Sequence, residues 1–547
     1  MTDADIFVGL DLGTSGLKGV ALDTSGAVVA RASAAYPTHR PAQGACEQAP
    51  KDWIAAAEAV AGQLSAAVPA RRWRGIGLSA MIPTLVTATA DGEPTGPAIT
   101  WQDSRADARG DELRELCGGD ELYRMTGQWV DGRYLLPMFL RVADSEPVRA
   151  AATARLIAAK DYLFGWLTGE IATDPSTAAG FGCYQLESGA WDAGVIAAAA
   201  SLLPPGRSLA SSLPAPLPSL PPPHPSLPPP HPSLPPPHPS LPPPHPSLPP
   251  PLPSLPPVLP SLTSLPLREE AAARMGCGRI PVCLGAADSV LGALGLGVRQ
   301  PGQVAYIAGT SNVIIGLADQ LVTDPRHRFL VTPLAEPGQW GLEMDLLATG
   351  SAISWLARLL GYSADGPDAG EAALVALAGD VDPGDAPLVL PYLSPGEQGA
   401  LWDPLLHGTV VGLQLGHGRQ HLARGLVNGI VLESRRCLAV LDETGDFGGD
   451  IQVAGGSAVD PGFRADLADA TRRRVSMPGD SDTDYSARGA ALLAARSISG
   501  AWPSPGGSRA ARVAEPDPAR AAVWDALWPD YEHARQAITC HYHATMY

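Results

Sequence analysis

Near its start the chain carries the run Val8-Gly9-Leu10-Asp11-Leu12-Gly13-Thr14-Ser15-Gly16-Leu17-Lys18-Gly19-Val20, and a close echo returns as Val304-Ala305-Tyr306-Ile307-Ala308-Gly309-Thr310-Ser311-Asn312-Val313-Ile314-Ile315. Each is an apolar strand, a Gly-Thr-Ser turn and a second apolar strand, which predicts a β-hairpin with a polar tip. Such a tip suits phosphate. Glycines let backbone N–H groups approach phosphate oxygens, the Thr14 and Ser15 hydroxyls add donors, Lys18 adds positive charge, and Asp11 can hold a Mg2+ ion through water. A hairpin tip with no ligand has the same composition. A third segment, Ile451-Gln452-Val453-Ala454-Gly455-Gly456-Ser457, runs a strand into a glycine pair ahead of a helical pattern from Phe463 to Arg474. Two hydroxyl-bearing hairpins and a Gly-Gly turn before a helix are the parts that a nucleotide cleft between two duplicated lobes requires.

Further stretches in the same order identify a resemblance. They include Ile99-Thr100-Trp101-Gln102-Asp103-Ser104-Arg105, Lys160-Asp161-Tyr162-Leu163, Leu390-Pro391-Tyr392-Leu393 and His421-Leu422-Ala423-Arg424. The chain resembles the FGGY carbohydrate kinases, within the actin, Hsp70 and sugar-kinase superfamily, and is most similar to xylulokinases from Ile6 to about Arg496. The resemblance implies an α/β fold of two actin-like, ribonuclease H-like lobes with the active site in the cleft between them. It implies a sugar-binding N-terminal lobe over residues 1–300, a nucleotide-binding C-terminal lobe over 301–500 and a tail over 501–547. Alternating strand and helix patterns agree with this class. A chain of 547 residues is roughly three to four typical domains long, enough for two large cores.

The resemblance also assigns residues. Gly285-Ala286-Ala287-Asp288 matches the family's Gly-x-x-Asp, so Asp288 is implied as the general base; an Asp at a helix start also serves as an N-cap. Asp11 matches the first-hairpin aspartate that organises Mg2+. Gly13, Thr14, Ser15 and Lys18 with Gly309, Thr310 and Ser311 match the two ATP-phosphate hairpins, and Gly455, Gly456 and Ser457 the adenosine-side turn. The run Ala487-Arg488-Gly489-Ala490-Ala491 matches a small-residue helix closing the adenine pocket, or serves tight helix packing. On the sugar side Trp101, Asp103 and Arg105 are retained, with a structural salt bridge beside a core tryptophan as the other reading. Xylulokinases show Ser-Gly-Gln-Met-His-Gly where this chain has Ser79-Ala80-Met81-Ile82-Pro83-Thr84. Ile82 and Pro83 thus stand in place of the Met-His pair, and losing a polar partner for a hydroxyl changes substrate preference. Met81 belongs to the same segment. Gln398, Gly425 and Asn428 also depart from the family pattern. The expected reaction is ATP-dependent phosphorylation of a ketopentose such as xylulose, with another polyol or a sugar acid as the alternative, or an ATP-binding regulator that has lost turnover.

Composition narrows the partners. A net charge of −18 leaves no basic excess for nucleic acid. No apolar run approaches the roughly 18 residues that span a bilayer, and the N-terminus shows no leader pattern, so a cytoplasmic protein with no membrane partner is expected. The seven cysteines are scattered without a disulfide or zinc pattern. A homodimer is compatible with the resemblance. From about Pro204 to Ser254 the unit Pro-Ser-Leu-Pro-Pro-Pro-His recurs, a composition that favours polyproline II or disorder and excludes a packed core. An extruded surface loop is the simpler reading; a docking arm for an SH3- or WW-like partner is the other. The tail from Ala514 carries no strong constraint.

Overall fold

The computed structural model describes residues 5–204, 252–309, 311–362, 367–394, 399–403, 405–479, 484–503 and 510–545. Most of the proline-rich repeat, Thr310 and Gln398 lie outside them.

Ile6–Leu12 is buried at every position, because it is covered on both faces. Val8 and Leu10 pack with Trp53, Val60 and Leu64 of the helix Pro50–Ala67. On the opposite face Gly9 leaves no room for a side chain: a methyl group there would lie 1.8 Å from the Ala487 carbonyl oxygen. Successive strand residues point to opposite faces, so one strand serves two layers of helices. Ile6–Leu12 pairs antiparallel with Gly16–Asp23 and parallel with Trp73–Ala80. The sheet has six strands, ordered Ser264–Pro266, Pro281–Ala287, Trp73–Ala80, Ile6–Leu12, Gly16–Asp23, Val28–Ala35.

The second sheet repeats this plan. Val304–Ala308 pairs antiparallel with Asn312–Ala318 and parallel with Ile451–Gly455, in the seven-strand order Leu330–Pro333, Trp340–Leu346, Asn312–Ala318, Val304–Ala308, Ile451–Gly455, Val475–Met477, Arg512–Ala514. A hairpin tip and the end of a parallel strand therefore meet at corresponding places in both sheets. The long helix Arg419–Thr444 is buried along most of its length in the second core.

Two expectations need correction, and one of two open readings gains support. The stretch after Ala514 is not loosely constrained: Arg512–Ala514 adds an edge strand, and the helix Pro518–Thr545 buries Trp524 and Tyr531 in the second core. Its apolar residues are widely spaced among charged ones, which hid the pattern. The run Ala487-Arg488-Gly489-Ala490-Ala491 is small because the helix Tyr485–Ser499 lies directly on the first sheet and crosses the helix Asp288–Gly295. A methyl group on Gly489 would meet the Leu291 carbonyl at 1.9 Å. Finally, the end of the proline-rich segment is folded: Ser254 exchanges backbone hydrogen bonds with Ala154 and Leu156, and Leu252 and Leu255 pack on the core beneath. Among the described residues no helix is long and apolar enough to cross a membrane.

Candidate active site

The first hairpin tip is held from three sides. The Gly13 N–H donates to the Gly16 carbonyl at 3.1 Å, Tyr36 OH donates to the Gly13 carbonyl, and Gln48 Nε2 donates to the Thr14 carbonyl at 2.8 Å. Trp101 Nε1 donates to Thr14 Oγ1 at 3.2 Å, linking the tip to the Trp101 turn. Ser15 is exposed at the apex. In the second tip the Gly309 N–H donates to the Ser311 carbonyl at 3.0 Å, and Gly309 is exposed.

Beneath the first tip Asp11 is 5 % exposed and accepts a hydrogen bond from Ser79 Oγ at 2.6 Å. Burial, with the Asp484 charge, pushes its carboxyl up to about 7, against the pull of Ser79 and Lys18. Asp288 opens the helix Asp288–Gly295 directly after a strand. The N-cap position is Ala287, not Asp288; Asp288 Oδ1 instead accepts the N–H of Ser289 at 2.9 Å, leaving Oδ2 for other chemistry. Burial raises the Asp288 carboxyl well above the carboxylate range, and the charges of Asp11, Glu343 and Asp345 add to it.

A cation bound among Asp11, Asp288 and Asp345 would favour their ionised forms. Among the described residues no three acidic, histidine or cysteine side chains converge closely enough to form a complete metal site. Asp11 offers carboxylate oxygen, the donor type Mg2+ takes one or two at a time alongside waters and phosphate oxygens. On the far side, Gly455 adopts φ +101° and a methyl there would lie 1.9 Å from the Ala308 carbonyl, whereas Gly456 faces open space. The first glycine is thus required by strand packing and the second leaves a cradle. Ser457 begins a short helical turn beside it.

A cavity of about 80 Å3 lies between the lobes, walled by Ile82, Pro83, Trp101, Tyr134, Ser311 and Trp402, with Arg133 and Asp345 as its charged groups. Trp101 reaches it; Asp103 and Arg105 do not line it. Asp103 is 2 % exposed, accepts the Cys46 N–H at 2.8 Å and binds Arg105, whose Nη2 also reaches Glu47 Oε1 at 2.6 Å. This is a structural clamp on the Trp101 turn. Met81 is buried, its N–H bonded to the Leu12 carbonyl, so it supports the strand end and does not line the cavity. Reading the sequence missed Arg133, Tyr134, Asp345, Trp402 and Asp484. Only Asp484 left a signal, as an N-cap before an apolar helix; the others reach the site through chain segments far apart in sequence.

The comparisons agree with this geometry. The N-terminal domain of the FGGY family of carbohydrate kinases matches residues 6–206 and the C-terminal domain residues 304–498. The chain is 25 % identical over 486 residues to a gluconokinase of Bacillus subtilis, covering 86 % of this chain and 84 % of that one. It is 26 % identical over 490 residues to a xylulose kinase of Escherichia coli, covering 89 % of each. The solved xylulose kinase of Rhodospirillum rubrum superposes with a TM-score of 0.79 at 28 % identity, covering 98 % of this chain and 100 % of that one. With both domains matched in order around a cleft built from two equivalent hairpins, the chain belongs to the FGGY family of carbohydrate kinases.

Proposed function

We propose that this sugar kinase transfers the γ-phosphoryl group of ATP to a hydroxyl of a neutral ketopentose such as xylulose, with Asp288 as general base. One observation carries the reading: a half-buried carboxylate with an uncommitted oxygen opens a helix within electrostatic reach of Asp11 and Lys18 of the first hairpin and of Asp345 of the cavity. Asp288 accepts the hydroxyl proton as that oxygen bonds to the γ-phosphorus, and the bond from phosphorus to the departing ADP oxygen breaks. Asp288 must be ionised to act, so cationic partners near it favour the reaction.

Gly13, Thr14, Ser15 and Lys18 would take the phosphates from one lobe and Gly309, Thr310 and Ser311 from the other. Gly456 and Ser457 would leave space for the adenosine beside Gly455. Asp11 would hold Mg2+ through water; when bound, the ion neutralises charge on the β- and γ-phosphate oxygens. Closure of the lobes over both substrates excludes water and so limits ATP hydrolysis.

Preference for a neutral sugar rests on the cavity's charge. Arg133 is its cation, and Asp131 already pairs with it through Nε and Nη2, while Asp345 faces the same space. A carboxylated sugar would meet net negative potential. Arg133 nonetheless supports a second reading, a sugar acid, under conditions where Asp345 is protonated. The test is ADP release with Mg2+ and ATP across ketopentoses, pentitols, hexoses and sugar acids, with Asp288→Ala alongside. Xylulose-stimulated turnover that falls at least about a hundredfold in the variant supports the proposal. Turnover on a sugar acid alone selects the second reading, and near-normal turnover of Asp288→Ala overturns the role of Asp288.

A further inference from the structure

A second cavity lies away from the hairpin tips. It encloses about 340 Å3 between the two lobes, at the far end of the helix whose first residue is Asp288. Strand register fixes the separation: Asn312 pairs with Leu346 at the cleft end of their hairpin, whereas Leu317 and Ala318 pair with Gly341 and Trp340 at the opposite end. The cavity is lined from that opposite end, by Leu317 and Gln339, and along the helix by Val290, Ala293 and Leu294. It is bordered by residues of two apolar clusters, one including Leu294 and the other Val298 and Ile315, and Leu334 packs against both.

Its lining is mixed: Val290, Leu294, Ile315 and Leu317 supply apolar surface, while Arg299, Arg496 and Glu336 supply the charged groups. Trp502 forms one side, with the Arg299 guanidinium over its ring at 4.7 Å and that of Arg496 at 5.9 Å. Arg496 is satisfied by Glu336 at 3.2 Å. Arg299 is not satisfied: its Nε is buried without a hydrogen-bond partner, and among the described residues it forms no ion pair. Burial and the nearby Arg488 charge lower its proton affinity, so an anion would relieve two unfavourable terms at once. A buried, unpartnered guanidinium donor in the wall of a cavity of small-molecule size, beside a tryptophan ring, is the pattern of a ligand site.

We propose that this cavity is a second ligand site, distinct from the cleft, for a small anion with a planar apolar body, the acid group on Arg299 and the body against Trp502 and Leu294. The class includes aromatic carboxylates, sulfonates and phosphate esters. The ring lies parallel to a cationic and aromatic wall, and the acid group supplies the missing partner for Nε.

The probe is 8-anilinonaphthalene-1-sulfonate, titrated by fluorescence into the full-length protein with saturating ATP and Mg2+ present. Its neutral relative, N-phenyl-1-naphthylamine, is run in parallel. One saturable site is expected, weakened at least about tenfold by Arg299→Gln, the scale of one charged hydrogen bond, while the neutral probe binds both proteins alike. Hydrogen exchange should slow at residues 290–299 and 334–339 on binding. If Arg299→Gln loses its near-ultraviolet circular dichroism, Trp502→Leu replaces it and must also weaken the sulfonate at least about tenfold. Equal sulfonate affinity in the folded variant, or protection confined to other segments, overturns the site.

Discussion

Lys18 Nζ donates to Asp484 Oδ2 at 2.9 Å, joining residues 466 positions apart. Asp484 is also the N-cap of the helix Tyr485–Ser499, accepting the Ala487 N–H at 2.8 Å. The cation beside the first hairpin tip is thereby tied to the helix that lies across the first sheet. Half of the Lys18 side chain remains in solvent, where an ion pair adds little stability. In the proposed reaction its position by the first hairpin tip and the buried Asp11 would let it hold phosphate.

Lys18→Met should raise the KM for ATP about tenfold, the loss of one charged contact to phosphate, with a smaller change in kcat. Its melting temperature should stay close to that of the wild type, since the pair is solvated. Steady-state kinetics and a thermal melt separate the two effects.

Gly489→Ala should be severely destabilising. The added methyl meets a backbone carbonyl of the crossing helix at 1.9 Å, and backbone cannot rotate away as a side chain can. A loss of at least about 3 kcal/mol is expected, read by urea unfolding, with Gly62→Ala in an exposed helix interior as a control that should instead gain up to about 1 kcal/mol.

Lys160 is fully buried and bridges Asp161 and Asp174, each at 3.1 Å. Asp174 in turn accepts from Ser176 Oγ, and Ser176 Oγ accepts the N–H of Ala287, the residue before Asp288. Lys160→Met should cost about 3–5 kcal/mol by stranding two buried carboxylates. Burial raises Asp161 to about 6 even with the lysine present. A buried acid with a raised pKa favours folding while protonated and loses that contribution as pH rises, so the penalty should be larger at pH 8 than at pH 5.

Asp345 is raised to about 7, chiefly by burial, with Glu343 adding and Arg133 opposing. As pH rises through that value the cavity gains a negative charge. The KM for any sugar acid should therefore increase from pH 6 to pH 8, while that for xylulose changes little. Asp345→Asn should remove the difference, measured as KM against pH.

Deletion of residues 206–250 should leave kcat and the melting temperature near wild-type values. Extending the deletion through Ser254 should destabilise the protein, because Ser254 and Leu252 are part of the folded lobe.

What could be read from the chain was local. The hairpins, their Gly-Thr-Ser tips, the strand before Asp288 and the helices near Trp53 and Phe463 follow from apolar periodicity and turn chemistry over short windows, and these act between neighbours in sequence. The duplicated order of motifs was enough for the two-lobe class. Tertiary structure decided the rest. It turned Asp103 and Arg105 inward as a clamp, left Trp101 at the cavity and brought Arg133 and Asp345 beside it. It also assigned the glycines of the Tyr485–Ser499 helix to backbone contact, and folded the C-terminal residues into the second core. The physical reason is common to these cases: burial, close approach and the mutual repulsion of carboxylates depend on segments hundreds of residues apart, and no local pattern carries that distance.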